Sequence, residues 1–125
     1  MDLLEQIAEK LHVGWMQARQ RAEVIYGPSR TATSHPHLVY WNNLGDIEAQ
    51  NQDRFQAALI LRAWASQEVT KEALPALIHD SWVIWEQVHG RFHRHALPFQ
   101  QAHPNGPDEH AGQAELVWAI LSMHE

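Results

Sequence analysis

The stretches "LHVGW" at residues 11–15 and "IHDSW" at residues 78–82 share one pattern. In each, an aliphatic residue and a His are followed by two variable residues and a Trp. His79 follows His12 by 67 positions, and Trp82 follows Trp15 by the same 67. A helix places residues i and i+3 on one face, so each pair is expected to lie side by side. The repetition predicts that the chain is an internal duplication.

Four helices are predicted from the spacing of apolar residues around these motifs. Each begins at an Asp or Thr that can cap it, and "YGPS" at 26–29 ends the first. The predicted helices run from Asp2 to about Glu23, from Asp46 to Ala65, from Thr70 to Gly90 and from Asp108 to about Leu121. On the second helix the predicted apolar face is Ile47, Phe55, Ala58, Leu59, Leu61 or Arg62, and Ala65.

Two irregular stretches, residues 29–43 and 93–107, separate the helices of each half. No alternation typical of β-strands appears, so the fold class is predicted to be all-α, with short extended segments in the loops. The loops match loosely, with "HPHLVYW" at 35–41 resembling "HRHALPF" at 93–99. The sequence therefore predicts one domain, 1–125, of two helix–loop–helix repeats related by a pseudo-two-fold axis, about 1–66 and about 70–125.

Composition narrows the function. The formal charge of −6 argues against binding to a nucleic-acid polymer, which normally needs a basic face. The chain has no Cys, which excludes disulfides and thiolate chemistry. It has no apolar run that could cross a membrane, and "MDLLEQIAEK" at 1–10 lacks the features of a signal peptide. A cytoplasmic location is the expectation.

The chain resembles the ryanodine-receptor repeat domain, a module found in those channels and as free-standing proteins in bacteria and phages. The stretches that carry the resemblance lie in the first half: "IAEKLHVGW" (7–15), "YGPSR" (26–30), "HPHLVYWNNL" (35–44) and "DRFQAAL" (53–59). The second half matches through "IHDSW" and the helix–loop–helix plan. It lacks the Tyr-Gly element, because His93 stands where the first copy has Tyr26.

The resemblance implies a binding site between the repeats. In paired repeats of this family the Trp residues of the two motifs face each other and sandwich an adenine base, which nominates Trp15 and Trp82. The Arg of the Tyr-Gly-Pro-x-Arg motif, here Arg30, lies near the phosphates. Bacterial and phage members are suspected of sensing or sequestering nucleotide-derived signals, so a role in phage defence or anti-defence is an expectation. The adenine-containing nucleotide, or nucleotide-derived second messenger, would bind without any cofactor.

The chemistry of these residues also supports such a slot, independently of the resemblance. Two parallel aromatic faces stack any base, each contributing about 1–3 kcal/mol. Arg19, one turn after Trp15, is placed to face the same cleft. Tyr26, which begins the Tyr-Gly-Pro-x-Arg motif, is also a candidate ligand-binding residue. The alternative is that Trp15 and Trp82 are simply core, since buried Trp is common between helices. His12 and His79 are expected to orient a loop by a hydrogen bond, with a role in lining the pocket left open.

The evidence for an enzyme is poor, because no catalytic triad, nucleophile elbow or phosphate loop is visible. His35 and His37, like His93 and His95, could present two imidazoles to one metal ion from an extended segment. Without Cys or a neighbouring carboxylate, no metal site is predicted. A His-metal-dependent nucleotide hydrolase remains the third interpretation, after a binding protein and a structural or protein-interaction module. The apolar "ELVWAILSM" at 115–123 offers a surface for a homodimer.

Overall fold

The computed structural model describes residues 2–26, 47–90 and 108–124. Across these ranges the chain is helical and contains no strand, which confirms the all-α fold class. The predicted irregular stretches, with their extended segments, lie outside the described residues. The four helices are α1 (Leu3–Tyr26), α2 (Ile47–Ala65), α3 (Leu74–Val88) and α4 (Asp108–Ser122).

The start of α1 follows its predicted cap. The Asp2 carboxylate accepts a hydrogen bond from the backbone N–H of Glu5 at 2.8 Å, which satisfies one of the unpaired amides of the first turn. The helix continues to Tyr26, three residues beyond the predicted end at Glu23. The helix therefore includes Tyr26, the first residue of the "YGPS" stretch.

The start of α3 differs from the prediction. The Thr70 hydroxyl accepts a hydrogen bond from the Ala73 N–H at 3.1 Å, so it stabilises a turn over residues 71–73. The helix itself begins at Leu74, with Pro75 in its first turn, where a missing N–H costs nothing. At the other end Gly90 takes a φ of +69°, a conformation that Gly adopts without strain.

The helices pack in the cyclic order α1–α2–α3–α4, with α4 closing the ring against α1. Their shared core is apolar, and its burial supplies most of the stabilisation of such a domain. Across the ring, Trp64 of α2 meets Trp118 of α4 edge to face, with ring centroids 6.0 Å apart. The buried core residues are Ile7, Ala8, Leu11, Ala57, Ile60, Val69, Leu74, Ile78, Ala114, Val117, Ile120 and Leu121.

The predicted apolar face of α2 is correct at some positions and wrong at others. Leu61 packs against the core, and Phe55 contacts Trp85 with ring centroids 5.4 Å apart. Ile47 is 62% exposed, and Ala58 and Ala65 face solvent. The face that packs into the core instead contains Asp53, Gln56, Ala57 and Ile60. Asp53 and Gln56 thus occupy positions that a hydrophobic pattern would not select. For Gln56 the reason is its hydrogen bonds to Ile78 and Ser81 on α3.

Helix α4 contains the apolar stretch that was predicted to offer a surface for a homodimer. Val117, Ile120 and Leu121 from the stretch at 115–123 are buried in the core, while Met123 is exposed. Most of the apolar surface proposed for a homodimer is therefore used within the chain. Among the described helices, none is both long and apolar enough to cross a membrane.

Candidate functional site

The two His-x-x-Trp motifs have the same arrangement on α1 and α3. His12 and His79 are almost completely buried, with 3% and 1% of their surfaces exposed. Trp15 and Trp82 are only partly buried. The rings of His12 and Trp15 stack with centroids 6.2 Å apart, and those of His79 and Trp82 lie 5.8 Å apart at 50°. Each motif thus has a buried His that supports a more accessible Trp.

One turn of α4 lies against both motifs. On the α3 side, His79 Nδ1 and His110 Nε2 are 3.1 Å apart. On the α1 side, the Gln113 amide nitrogen donates to the backbone carbonyl of Leu11 at 2.8 Å. His110 Nδ1 and Gln113 Oε1, 3.0 Å apart, join the two contacts within α4. This buried polar chain, His79–His110–Gln113–Leu11, connects three helices.

The hydrogen-bond chain assigns the protons of its two His rings. Because the Gln113 amide nitrogen donates to Leu11, its oxygen must accept, so His110 Nδ1 carries a proton. In neutral His110 the Nε2 atom is then an acceptor, and His79 Nδ1 is the donor to it. All donors in this series of hydrogen bonds therefore point the same way, from α3 through α4 to α1. The bonds also fix the orientations of both imidazole rings.

A second buried amide holds the other motif. The Gln56 side chain on α2 donates to the backbone carbonyl of Ile78 and to the Ser81 hydroxyl, each at 3.0 Å. Ser81 also donates to the Ile78 carbonyl at 2.7 Å. Ile78 directly precedes His79, as Leu11 directly precedes His12. Each motif is therefore anchored at the same backbone carbonyl by a Gln from the helix that packs on it.

The two anchors differ in how closely the helices approach. A Cβ added at Gly14 would lie 2.7 Å from Gln113 Cγ and 2.8 Å from Gln113 Cα. At that point α1 can meet α4 only because Gly14 has no side chain. The residue at the same place in the second motif is Ser81, whose hydroxyl bonds to Gln56. The α2–α3 contact thus has room for a polar side chain that the α1–α4 contact excludes.

Asp53 is a buried carboxyl on α2, one turn before Gln56. Burial raises the pKa of Asp53 well above its ordinary value, and the neighbouring positive charge of Arg54 only partly opposes this. No hydrogen bond joins its carboxyl to another residue in the described part of the chain. Arg54 itself points to α1, where its Nε donates to the Glu5 carboxylate at 2.5 Å.

The remaining residues predicted to bind the ligand, Arg19, Tyr26 and Arg30, are not tested by these contacts. Arg19 and Tyr26 belong to α1, but their side chains lie outside the described residues, as does all of Arg30. The His35/His37 and His93/His95 pairs also fall outside. Within residues 2–26, 47–90 and 108–124, no group of three or more His, Asp or Glu is placed to hold a metal ion.

The sequence interpretation missed four buried polar residues on the two helices that anchor the motifs: Asp53, Gln56, His110 and Gln113. One signal could have found two of them. The pattern Gln-Ala-x-Leu occurs at 56–59 and again at 113–116, and both Gln residues are the anchors described above. Asp53 and His110 each stand three residues before that Gln, but no shared residue type marks them.

Comparison of the chain with protein-family models, with curated proteins and with solved structures finds no match.

Proposed function

We propose that this chain is a non-enzymatic binding protein of two ryanodine-receptor-like repeats, which holds an adenine-containing nucleotide or nucleotide-derived second messenger between Trp15 and Trp82. The observation that carries the proposal is the difference in burial between the His and the Trp of each motif. The His is buried and hydrogen-bonded or stacked, while the Trp beside it stays partly accessible. A Trp held in this way offers a preorganised face for a base.

Three features support the duplication on which the slot depends. The buried residues of α1 and α3 correspond at a spacing of 67, since Leu11 pairs with Ile78 and His12 with His79. The Gln-Ala-x-Leu pattern repeats at a spacing of 57 on α2 and α4. The anchoring amides cross between the halves, because α2 holds the α3 motif and α4 holds the α1 motif. A pseudo-two-fold axis would exchange these two bonds and make Trp15 and Trp82 counterparts.

The same proposal assigns roles to the other candidate ligand-binding residues. Arg30, with Arg19, would neutralise phosphate, since a guanidinium pairs well with phosphate oxygens. Tyr26 would border the slot, and His12 and His79 would position the two Trp rings. The chain would then act in the cytoplasm as a sponge for a nucleotide signal, or as a sensor that reports binding to a partner protein.

Intrinsic Trp fluorescence during titration with AMP, ADP-ribose and cyclic dinucleotides tests this function. Saturable quenching by one of these ligands is expected in the unmodified protein. Trp82→Ala should weaken binding by about fivefold to 150-fold, because one stacking face is lost. Trp82→Phe keeps an aromatic face and should retain most of the affinity. Trp64→Phe, which alters the Trp64–Trp118 pair instead, is the matched control and should bind normally.

Two results would overturn the proposal. One is the absence of quenching by every nucleotide in the series. The other is unchanged affinity in a Trp82→Ala protein whose helical circular dichroism matches that of the unmodified chain.

A protein-interaction module is the second candidate function, favoured by an apolar pair on the outside of α3. Ile84 and Val88, one turn apart, are 43% and 68% exposed. If this function is correct, the nucleotide titrations will be silent and Ile84→Ser with Val88→Ser will leave the melting temperature nearly unchanged. The same double variant would lose association with the partner protein.

A further inference from the structure

The His79 ring is the buried surface against which the Trp82 indole packs. His79 is 1% exposed, and its ring lies 5.8 Å from that of Trp82, centroid to centroid. Trp82 itself is partly exposed. Because protein interiors are close-packed, a turn of the His79 ring would displace the indole beside it. The orientation of this imidazole therefore helps to determine where the Trp82 face lies.

A residue of α4 fixes that imidazole. His110 Nε2 lies 3.1 Å from His79 Nδ1. The two rings are tilted by 71° with centroids 5.1 Å apart, so they meet at their edges rather than stacking. A hydrogen bond between ring nitrogens is directional, so it restrains how the His79 ring is turned as well as where it lies. His110 is in turn bonded to Gln113, whose amide also reaches Leu11.

The backbone of the second motif has a separate support. Gln56 and Ser81 both donate to the Ile78 carbonyl, at 3.0 and 2.7 Å. These bonds join α2 to α3 and involve no atom of His110. Loss of the His79–His110 bond would therefore release the imidazole from α4, while the turn of α3 that carries it keeps its anchor.

We propose that His110 is a positioning residue for the Trp82 side of the slot. By accepting the hydrogen bond from His79 Nδ1 it sets the orientation of the imidazole and, through it, the orientation of the indole face offered to the base. The consequence for ligand binding rests on the function proposed above. The dependence of the Trp82 ring on His110 holds with or without a ligand, and no contact between His110 and the ligand is required.

Two amide substitutions separate the two bonds of His110. The end of a Gln side chain reaches about as far as imidazole Nε2, and the end of an Asn side chain about as far as Nδ1. His110→Gln therefore retains an acceptor for His79 and lacks the donor to Gln113. His110→Asn retains the donor to Gln113 and lacks the acceptor for His79. Each variant is neutral and loses one buried hydrogen bond, so the two are matched in their expected loss of stability.

The first measurement reads the Trp rings without any ligand. In the full chain labelled with 5-fluorotryptophan, Trp82→Phe identifies the fluorine NMR resonance of Trp82. His110→Asn should shift or broaden that resonance, and His110→Gln should leave it close to its place in the unmodified protein. The resonances of Trp64 and Trp118, which pack on each other between α2 and α4, should be unchanged in both variants.

Three results would overturn the role of His110. The first is a Trp82 resonance that His110→Asn does not move, and the second is an equal change in both variants. The third is a change that includes Trp64 and Trp118, because it would show that His110 supports the packing of α4 as a whole.

The second measurement is the fluorescence titration with AMP, ADP-ribose and cyclic dinucleotides. For the nucleotide that binds the unmodified protein, His110→Asn should weaken binding by about twofold to tenfold, the cost of ordering one more side chain on binding. His110→Gln should stay within about twofold. Equal affinities of the two variants would overturn the effect on binding. Failure of every nucleotide to bind the unmodified protein would overturn the proposed function, and the fluorine spectra would still decide whether His110 orients Trp82.

Discussion

The two helices that anchor the motifs, α2 and α4, are alike at one position and unlike at another. Each places a Gln on the carbonyl that precedes a motif His, Gln56 on Ile78 and Gln113 on Leu11. Three residues before the Gln, α4 has His110, bonded to His79 and Gln113, whereas α2 has Asp53 without a hydrogen bond to a described residue. The common position holds an anchoring amide on both helices. The divergent position holds a hydrogen-bonded imidazole on α4 and, on α2, a carboxyl whose pKa is raised by burial.

The largest expected effect comes from breaking the closest approach between α1 and α4. In Gly14→Ala the new Cβ would press on the backbone of Gln113, so the helices must separate. Overpacking of this kind typically lowers the free energy of unfolding by about 1–3 kcal/mol. Urea denaturation would measure the loss. Gln17→Ala, at an exposed position of the same helix, is the control and should stay within about 0.5 kcal/mol of the unmodified chain.

A smaller difference should separate the two anchoring amides. Gln113→Leu removes the donor to Leu11 and the acceptor of His110, so the α3–α4–α1 chain is broken. Gln56→Leu leaves the Ile78 carbonyl with its bond from Ser81. We expect unfolding free energies to fall by about 1–3 kcal/mol for Gln113→Leu and about 0.5–1.5 kcal/mol for Gln56→Leu. Equal losses would show that the two anchors are energetically equivalent.

The last comparison concerns the pH dependence of stability at Asp53. Its pKa is raised in the folded protein above the value of about 3.9 in the unfolded chain, so the folded state binds the proton more tightly. The resulting stabilisation is complete below the unfolded pKa and is lost as pH rises through the folded pKa. Asp53→Asn should remove this slope and should be more stable than the unmodified chain above that range.

Thermal unfolding at a series of pH values between 3 and 8 measures the Asp53 effect. The informative quantity is the difference in melting temperature between Asp53→Asn and the unmodified chain at each pH, since other titrating groups then cancel. A difference that does not grow with pH would show that Asp53 is not a costly buried acid.

The helices could be predicted from sequence to different extents. On α1 the apolar residues Ile7, Ala8 and Leu11 recur at helical spacing in the sequence, and all three are fully buried. On α2 the same reasoning selected Ile47 and Ala58, which are exposed. The reason is physical: α2 buries polar side chains that bond to carbonyls and hydroxyls on other helices. Hydrophobic periodicity contains no information about those distant partners.

The sequence by itself determined the all-α class, the approximate helix bounds and the two His-x-x-Trp motifs, because capping residues, apolar spacing and a repeated pattern are local properties. Only the tertiary structure decided which helix anchors which motif, that α4 leaves no room for a side chain at residue 14, and that Asp53 and His110 are buried. These depend on residues up to 102 positions apart, as in the bond from Gln113 to Leu11. Helix packing brings such groups together, and burial then strengthens their hydrogen bonds and raises the pKa of Asp53.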